Sequence, residues 1–200
     1  MSAVLETIPA MALDFDTSLE LGKAAQARAG KYSTSFGWYV DGIGSIGKER
    51  VPVTYIPETE SGENELTAPD QTIKRRGWPF SITLEVKNKE SIKDKFWVDV
   101  RRLNYITKWA RETEQFVLWV IEDERKNREL ICASNDKLSS TPHREYNPYS
   151  KDRYGNPEPT WMFQSQVFVP FKDFLISQIE SFHTTRSLHL PNSTGEEILI

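Results

Sequence analysis

The chain of 200 residues has one cysteine, Cys132. An intramolecular disulfide is therefore excluded, and so is a cluster or zinc site built from several cysteines. Histidine is scarce too. His143, His183 and His189 do not fall at metal-ligand spacing on one predicted element, so we read them as surface residues. Positive charge is not in excess: the formal net charge is -4 and the pI about 5.5. Phosphate binding wants Lys and Arg, which argues against a general nucleic-acid coat and leaves open a local basic patch. No stretch approaches the roughly 20 apolar residues of a membrane span. The opening segment, MSAVLETIPAMALDFDTSLE, carries acids where a signal peptide would carry basic residues. No Ser-His-Asp arrangement stands out, and GIGSIGKE lacks the spacing of a phosphate-cradling loop. The expectation is a cytoplasmic protein in a reducing compartment, without a membrane partner and with Cys132 as a small buried apolar residue.

What is abundant is aromatic and apolar side chains. Hydrophobic residues make up 38%, with six Trp, ten Phe and seven Tyr. That is enough for one domain with a real core. The pattern divides the chain into a flexible leader (1–16), a domain (17–183) and a C-terminal tail (184–200). Thr17 or Ser18 can cap a helix from about Leu19 to Lys31, with Leu21, Ala24, Ala25 and Arg28 at helical spacing. GWYVDGIG reads as a short strand and VPVTYI as another, and PETESGENE as a mobile loop. PFSITLEVK is the clearest strand. KFWVDVRRLNYITKWARET is a helix candidate, with Leu103, Ile106 and Ala110 on one side. QFVLWVIED is an almost unbroken apolar strand of the kind buried on both faces. ELICAS continues the sheet, residues 135–160 form a polar excursion or binding loop, and WMFQSQVFVP is a last strand. FKDFLISQIESF is an amphipathic helix, with a partly ordered tail from about His183. This order predicts an α/β sandwich around a mixed sheet.

One strand carries chemistry. In SITLEVK, Ile82, Leu84 and Val86 point to one face, and Ser81, Thr83, Glu85 and Lys87 to the other. Glu85 and Lys87 are then about 6–7 Å apart by strand rise. A hairpin joining TAPDQTI to SITLEVK, with KRRGWP at the turn, brings Asp70 beside Glu85. Two carboxylates and a backbone carbonyl make a hard-oxygen site for Mg²⁺, which can lower the pKa of a bound water. Lys87 can orient that water or hold developing charge. An acid-x-Lys triplet arises about once or twice by chance in such a chain. The second here, Glu124-Arg125-Lys126, lies in a charged turn and is read as noise. The first lies in an apolar strand and follows the only Pro-Asp of the chain.

Pro69-Asp70 followed by Glu85-Val86-Lys87 resembles the active-site signature of the PD-(D/E)xK nuclease superfamily. The resemblance covers roughly residues 17–180. It implies a restriction-endonuclease-like fold, with a central mixed β-sheet flanked by helices. It implies metal-dependent hydrolysis of phosphodiester bonds in nucleic acid, usually DNA, in defence and restriction or in recombination and repair. Mg²⁺ is the implied cofactor, with Mn²⁺ as a substitute, and Asp70 and Glu85 are the implied ligands. Many members add an acid from the first helix, for which Glu20 is the matching position and Glu6 a poorer one. The long insert before Pro69 leaves Asp41 as an alternative source of the first carboxylate. Lys74, Arg75 and Arg76 at the hairpin turn, Lys89 after the motif, and Arg101 and Lys108 on the next helix are candidate phosphate contacts. Against these stand plainer readings: a turn aspartate, an exposed ion pair, a first-turn acid and a solvated basic face. The rival function is a non-catalytic module of the same fold that binds nucleic acid or protein, or a subunit of a larger assembly. Cutting two strands would favour a homodimer.

Overall fold

The structure is a computed structural model that describes residues 15–42, 53–55, 65–67, 69–89, 91, 94–141, 145–147 and 159–188. Its centre is a six-stranded mixed sheet in the order β1 (Tyr39–Gly42), β4 (Gln71–Lys74), β5 (Ser81–Lys89), β7 (Phe116–Asp123), β8 (Glu129–Ser134), β11 (Val169–Pro170). The pair β5–β7 is parallel, and every other neighbouring pair in that sheet is antiparallel. Two small sheets accompany it. One pairs β2 (Val53–Tyr55) with β3 (Glu65–Thr67), and the other runs β6 (Lys95–Asp99), β10 (Thr160–Gln164), β9 (Glu145–Asn147). Four α-helices lie among the described residues: α1 (Phe15–Ser35), α2 (Val100–Thr113), α3 (Asn135–Ser140) and α4 (Phe171–Leu188). This is the predicted central mixed sheet with flanking helices.

The alternation in β5 and β7 decides which helices go where. Ile82, Leu84 and Val86 of β5 and Leu118 and Val120 of β7 share one face. They pack with Ala25 and Ala29 of α1 and Phe171 and Leu175 of α4. Val117, Trp119 and Ile121 share the opposite face and pack with Leu103, Ile106 and Trp109 of α2 and Leu138 of α3. Both faces are thus covered, as the unbroken apolar run of β7 required. Each fully buried Leu, Ile or Val side chain contributes roughly 1.5–3 kcal/mol by leaving water. Cys132 lies at 0% exposure within the first of these layers, and burial raises its thiol pKa to about 12. It is the inert apolar residue expected of it.

Two glycines set the connections near the site. Gly37 ends α1 at φ 77°, its N–H bonded to the Thr34 carbonyl, in the left-handed region favoured at a helix C-terminus. Gly77 at φ 83° sits in the turn that joins β4 to β5.

The structure corrects several expectations. KFWVD is not the start of a helix but β6. Phe96 and Val98 are buried at alternate positions, and the helix begins only where the Asp99 carboxylate accepts the Arg102 N–H. WMFQSQVFVP is two strands in different sheets, separated by the 3-10 turn Ser165–Val167. Residues 135–140 of the expected loop form α3, capped by the Ser134 hydroxyl accepting from the Lys137 N–H. Both α1 and α4 are longer than expected, and α4 continues to Leu188, past the start of the expected tail at His183. The leader to residue 14, the PETESGENE loop and residues 189–200 lie outside the described residues. Among the described residues no helix is long and apolar enough to cross a membrane.

Candidate active site at the β4–β5 hairpin

The hairpin between β4 and β5 has the register Gln71↔Leu84, Thr72↔Thr83, Ile73↔Ile82, Lys74↔Ser81. Asp70 stands immediately before Gln71, so the hairpin carries it to the level of Glu85. There the ladder stops, and the Val86 N–H donates to Asp70 Oδ2 at 2.7 Å instead. The aspartate thus substitutes for a missing strand partner and is fixed beside the Glu-Val-Lys triplet. The sequence-predicted juxtaposition of Asp70, Glu85 and Lys87 is present in the structure.

Glu85 is wholly buried, on the central strand between β4 and β7. A carboxylate there must be paired or it would not stay charged. Its partners are two. Lys87 Nζ lies 2.7 Å from Oε1. Arg102, on α2, donates from Nε to Oε1 at 2.8 Å and from Nη2 to Oε2 at 2.7 Å. That fork is the planar bidentate geometry that a guanidinium offers a carboxylate. Arg102 is the third residue of α2, one turn from the Asp99 cap. Helical side chains lean back toward the N-terminus, so Arg102 reaches back over the sheet. With KFWVD taken as helix, the sequence does not point to Arg102, because the start of α2 sets which way it faces. The usable signal was Asp99 as a cap three residues before an arginine, after an alternating strand.

Charge in this cluster is strongly coupled. Burial works to raise the Glu85 pKa, but Lys87 and Arg102 outweigh it and hold the carboxyl below its usual range. Burial likewise opposes charge on Lys87, while Glu85 and then Asp70 more than compensate, so its pKa is raised and the amine stays protonated. Asp70 has no comparable partner. Burial, followed by repulsion from Glu85, pushes it up to about 6. The result is one firmly ionised carboxylate, one that ionises just below neutrality, and a protonated lysine a third exposed.

A cavity of about 30 Å³ opens beside this cluster. Lys87, Lys89, Trp97, Asp99, Arg102 and Trp119 are among its walls. Two of its wall groups, Trp97 Nε1 and Asp99 Oδ2, are buried and have no hydrogen-bond partner. A much larger cavity of about 590 Å³ lies elsewhere, against the opposite face of the sheet, among Arg28, Lys31, Tyr32, Arg128, Leu130 and Lys172. Its walls include two carboxylates, Glu129 and Asp173, but both are exposed, whereas Glu85 beside the smaller space is wholly buried.

Two oxygen donors, Asp70 and Glu85, suit a hard divalent cation. Their mutual repulsion is what such an ion relieves. Among the described residues no group of three or more His, Cys, Asp or Glu side chains is arranged to hold a metal. Any ion held at the hairpin would have these two carboxylates as its protein donors. Two carboxylates are a number that would suit Mg²⁺, which keeps several waters and is commonly held by one or two carboxylates.

The remaining candidates are placed as follows. Glu20 is corrected: its side chain is 71% exposed and pairs with Lys23 at 2.9 Å, because α1 turns its alanines to the sheet and Glu20 to solvent. It is not brought to the carboxylates. Arg75 is also committed elsewhere, donating to the Phe36 carbonyl at 2.7 Å, where it ties the hairpin to the end of α1. Lys74 and Arg76 are exposed at the hairpin, and Lys89 is at the cavity wall. Arg101 is exposed and donates to the Tyr105 hydroxyl, with its guanidinium 5.5 Å from that ring, and Lys108 is half-buried further along α2. Asp41 pairs with Thr72 in the sheet; its side chain is outside the described residues. Glu124-Arg125-Lys126 is a 3-10 turn with no buried residue, consistent with its dismissal.

No protein-family model matches the chain, and no curated protein matches its sequence. Among experimentally determined structures, it is similar to the Holliday junction resolvase Hjc of Archaeoglobus fulgidus. That likeness has a TM-score of 0.47 and 10% identity, over 77% of this chain and 94% of the resolvase. It is also similar to D212, a nuclease from a fusselovirus, with a TM-score of 0.40 and 12% identity, over 90% of this chain and 99% of that one.

Proposed function

We propose that the chain is a metal-dependent nuclease of the restriction-endonuclease-like kind, hydrolysing phosphodiester bonds in nucleic acid, with DNA as the first substrate to test. The observation that carries this reading is the convergence of Asp70, Glu85 and Lys87 at the point where the β4–β5 ladder stops. Asp70 and Glu85 are the groups that would hold Mg²⁺ or Mn²⁺. Once bound, such an ion polarises the phosphate and lowers the pKa of a coordinated water. The protein's own contribution follows from its charges. Lys87 is protonated and so is not a base; it supplies fixed positive charge where the phosphate gains negative charge. Its ion pair with Glu85 holds it in place, which removes the need to order a flexible side chain during reaction. Asp70 must lose its proton to act as a ligand, and its position near pH 6 makes that loss available at neutral pH. Lys89, Lys74 and Arg76 are the cations that would meet backbone phosphates around the site, where contacts position rather than specify.

The test is cleavage of supercoiled plasmid, linear duplex and single strand, with Mg²⁺, Mn²⁺ or EDTA, beside Glu85→Ala. Metal-dependent cutting that the substitution abolishes is the expected outcome. Undiminished cutting by a folded Glu85→Ala protein would remove the site from the reaction. One observation favours a second reading, a non-catalytic binding module: Glu85 is already paired by Arg102 and Lys87 without any metal. On that reading Mn²⁺ does not bind wild-type protein, and Asp70→Asn changes no titration.

A further inference from the structure

Glu85 has about four acceptor positions on its two oxygens. Arg102 Nε and Lys87 Nζ both address Oε1, and Arg102 Nη2 addresses Oε2. One position remains. A cation that needs Glu85 as a ligand therefore meets a carboxylate whose charge is already spent on a guanidinium. If Arg102 yields, its guanidinium, at 21% exposure, gives up a bidentate acceptor, and an unpaired carboxylate oxygen nearby is the acceptor that would draw it.

That acceptor is present. Asp99 lies one helical turn before Arg102 and lines the same small cavity. Its Oδ1 caps α2 by accepting the Arg102 N–H. Its Oδ2 is buried and has no partner. An unpaired carboxylate oxygen inside a protein is costly and calls for an explanation. The cavity lined by both Asp99 and Arg102 holds about 30 Å³, room for a group the size of a water beside the guanidinium. Asp99 is also close enough to Arg102 to help keep it charged.

We propose that Arg102 is a two-position switch, seated on Glu85 in the metal-free protein and moving to the free oxygen of Asp99 when Glu85 takes a divalent cation. The proposal deepens the nuclease reading and rests on its metal site. It makes Arg102 a placeholder that keeps Glu85 charged, oriented and folded while no ion is bound. It also makes Asp99 a positioning residue, with a second role besides its cap. Bound metal then exchanges one buried ion pair, Glu85–Arg102, for another, Asp99–Arg102.

The experiment is calorimetric titration of Mn²⁺ alone into metal-free wild-type protein, Arg102→Gln and Asp99→Asn, with thermal midpoints measured with and without Mn²⁺. Arg102→Gln removes the competitor, so Mn²⁺ binds it on the order of tenfold more tightly than wild type, and its midpoint rises more on adding metal. Asp99→Asn keeps a side chain that caps helices well but loses the charge that receives Arg102. It binds Mn²⁺ several-fold more weakly, with a metal-free midpoint near that of wild type. Equal or weaker binding by Arg102→Gln would show that Arg102 supports the site rather than competes for it, and would overturn the switch. Unchanged binding by Asp99→Asn would overturn it too, as would no Mn²⁺ binding by any of the three. The expected binding pattern without cleavage of any nucleic acid would end the nuclease reading and leave the switch standing.

Discussion

Of the three wholly buried acids on the central strands, Glu85, Glu122 and Asp123, the first two point to opposite faces of the sheet and are handled differently. On the α1 face, Glu122 is at 0% exposure, and Arg28 donates to both its oxygens, from Nε to Oε1 and from Nη2 to Oε2 at 2.6 Å. Asn88 adds a bond to Oε2 at 2.8 Å. Burial works against the charge there, and the bonds from Arg28 and Asn88 overcome it, so the pKa of Glu122 is lowered. Arg28 thereby clamps α1 to the sheet. On the α2 face, Glu85 is as deeply buried and has a bidentate arginine too. But this cluster has more than it needs to be stable: a second carboxylate, Asp70, pushed toward neutrality; a lysine that is partly exposed; and a cavity with unpaired polar atoms. A structural ion pair satisfies its groups and stops. Charge left in tension for a ligand to relieve is the pattern of functional sites, and it is what marks this cluster as the candidate. Both acids have lowered pKa values, so a shifted titration alone does not distinguish them.

The comparison can be broken by removing the arginine of the structural pair. Arg28→Ala leaves Glu122 buried without its main partner, and breaking such a pair costs about 3 kcal/mol or more. Urea denaturation should show that loss, while the cleavage rate per folded molecule stays within about twofold of wild type. A large loss of rate in the folded fraction would mean that both faces serve the reaction.

Acidity sharpens it next. In metal-free buffer the folded protein keeps the Asp70 proton up to about pH 6, while the unfolded chain releases it near the ordinary value of 3.8. The folded state therefore binds more protons across that window, and stability falls as pH rises through it. The effect amounts to at most about 3 kcal/mol for this size of shift. Glu85, with its pKa lowered, acts in the other direction and below its ordinary 4.5: its stabilisation is lost as pH falls. Denaturation profiles of wild type and Asp70→Asn between pH 4 and 7 should diverge, with the wild-type decline absent in the variant. Parallel profiles would mean that Asp70 is not held protonated. In the same window Mn²⁺ affinity of the wild type should rise with pH, because the ligand must first be deprotonated.

The smallest effect belongs to the acid that the structure sets aside. Glu20→Ala removes an exposed pair with Lys23, and such pairs contribute less than about 1 kcal/mol. Stability, metal binding and cleavage should all be unchanged within error. A clear loss of cleavage would return the first helix to the site.

The same contrast explains what could be read in advance. The triplet Glu85-Val86-Lys87 was legible because period-two alternation in an apolar strand forces its two charges to one face. Asp70 was legible because one hairpin of ordinary length returns the chain to that strand. Arg102 was not legible, since its reach depends on where α2 begins. That start is set by Asp99 in a segment whose aromatic and apolar residues also suit a helix. The Glu122–Arg28–Asn88 cluster was hidden for another reason: its partners are 94 and 34 residues from Glu122, and only the packing of α1 on the sheet joins them. Glu20 misled because position on a first helix says nothing about which side of that helix meets the sheet. Here small residues, Ala25 and Ala29, take that side.

The most direct test of the account sets the two faces against each other in one assay. Lys87→Ala and Arg28→Ala are compared on whichever nucleic acid wild type cuts, at saturating Mg²⁺, with rates scaled to folded protein. The account predicts a loss of roughly 10²–10³-fold for Lys87→Ala, the range for removing one preorganised electrostatic group, and a rate near wild type for Arg28→Ala. Equal rates in the two variants, or metal-dependent cutting that survives Lys87→Ala, would contradict it.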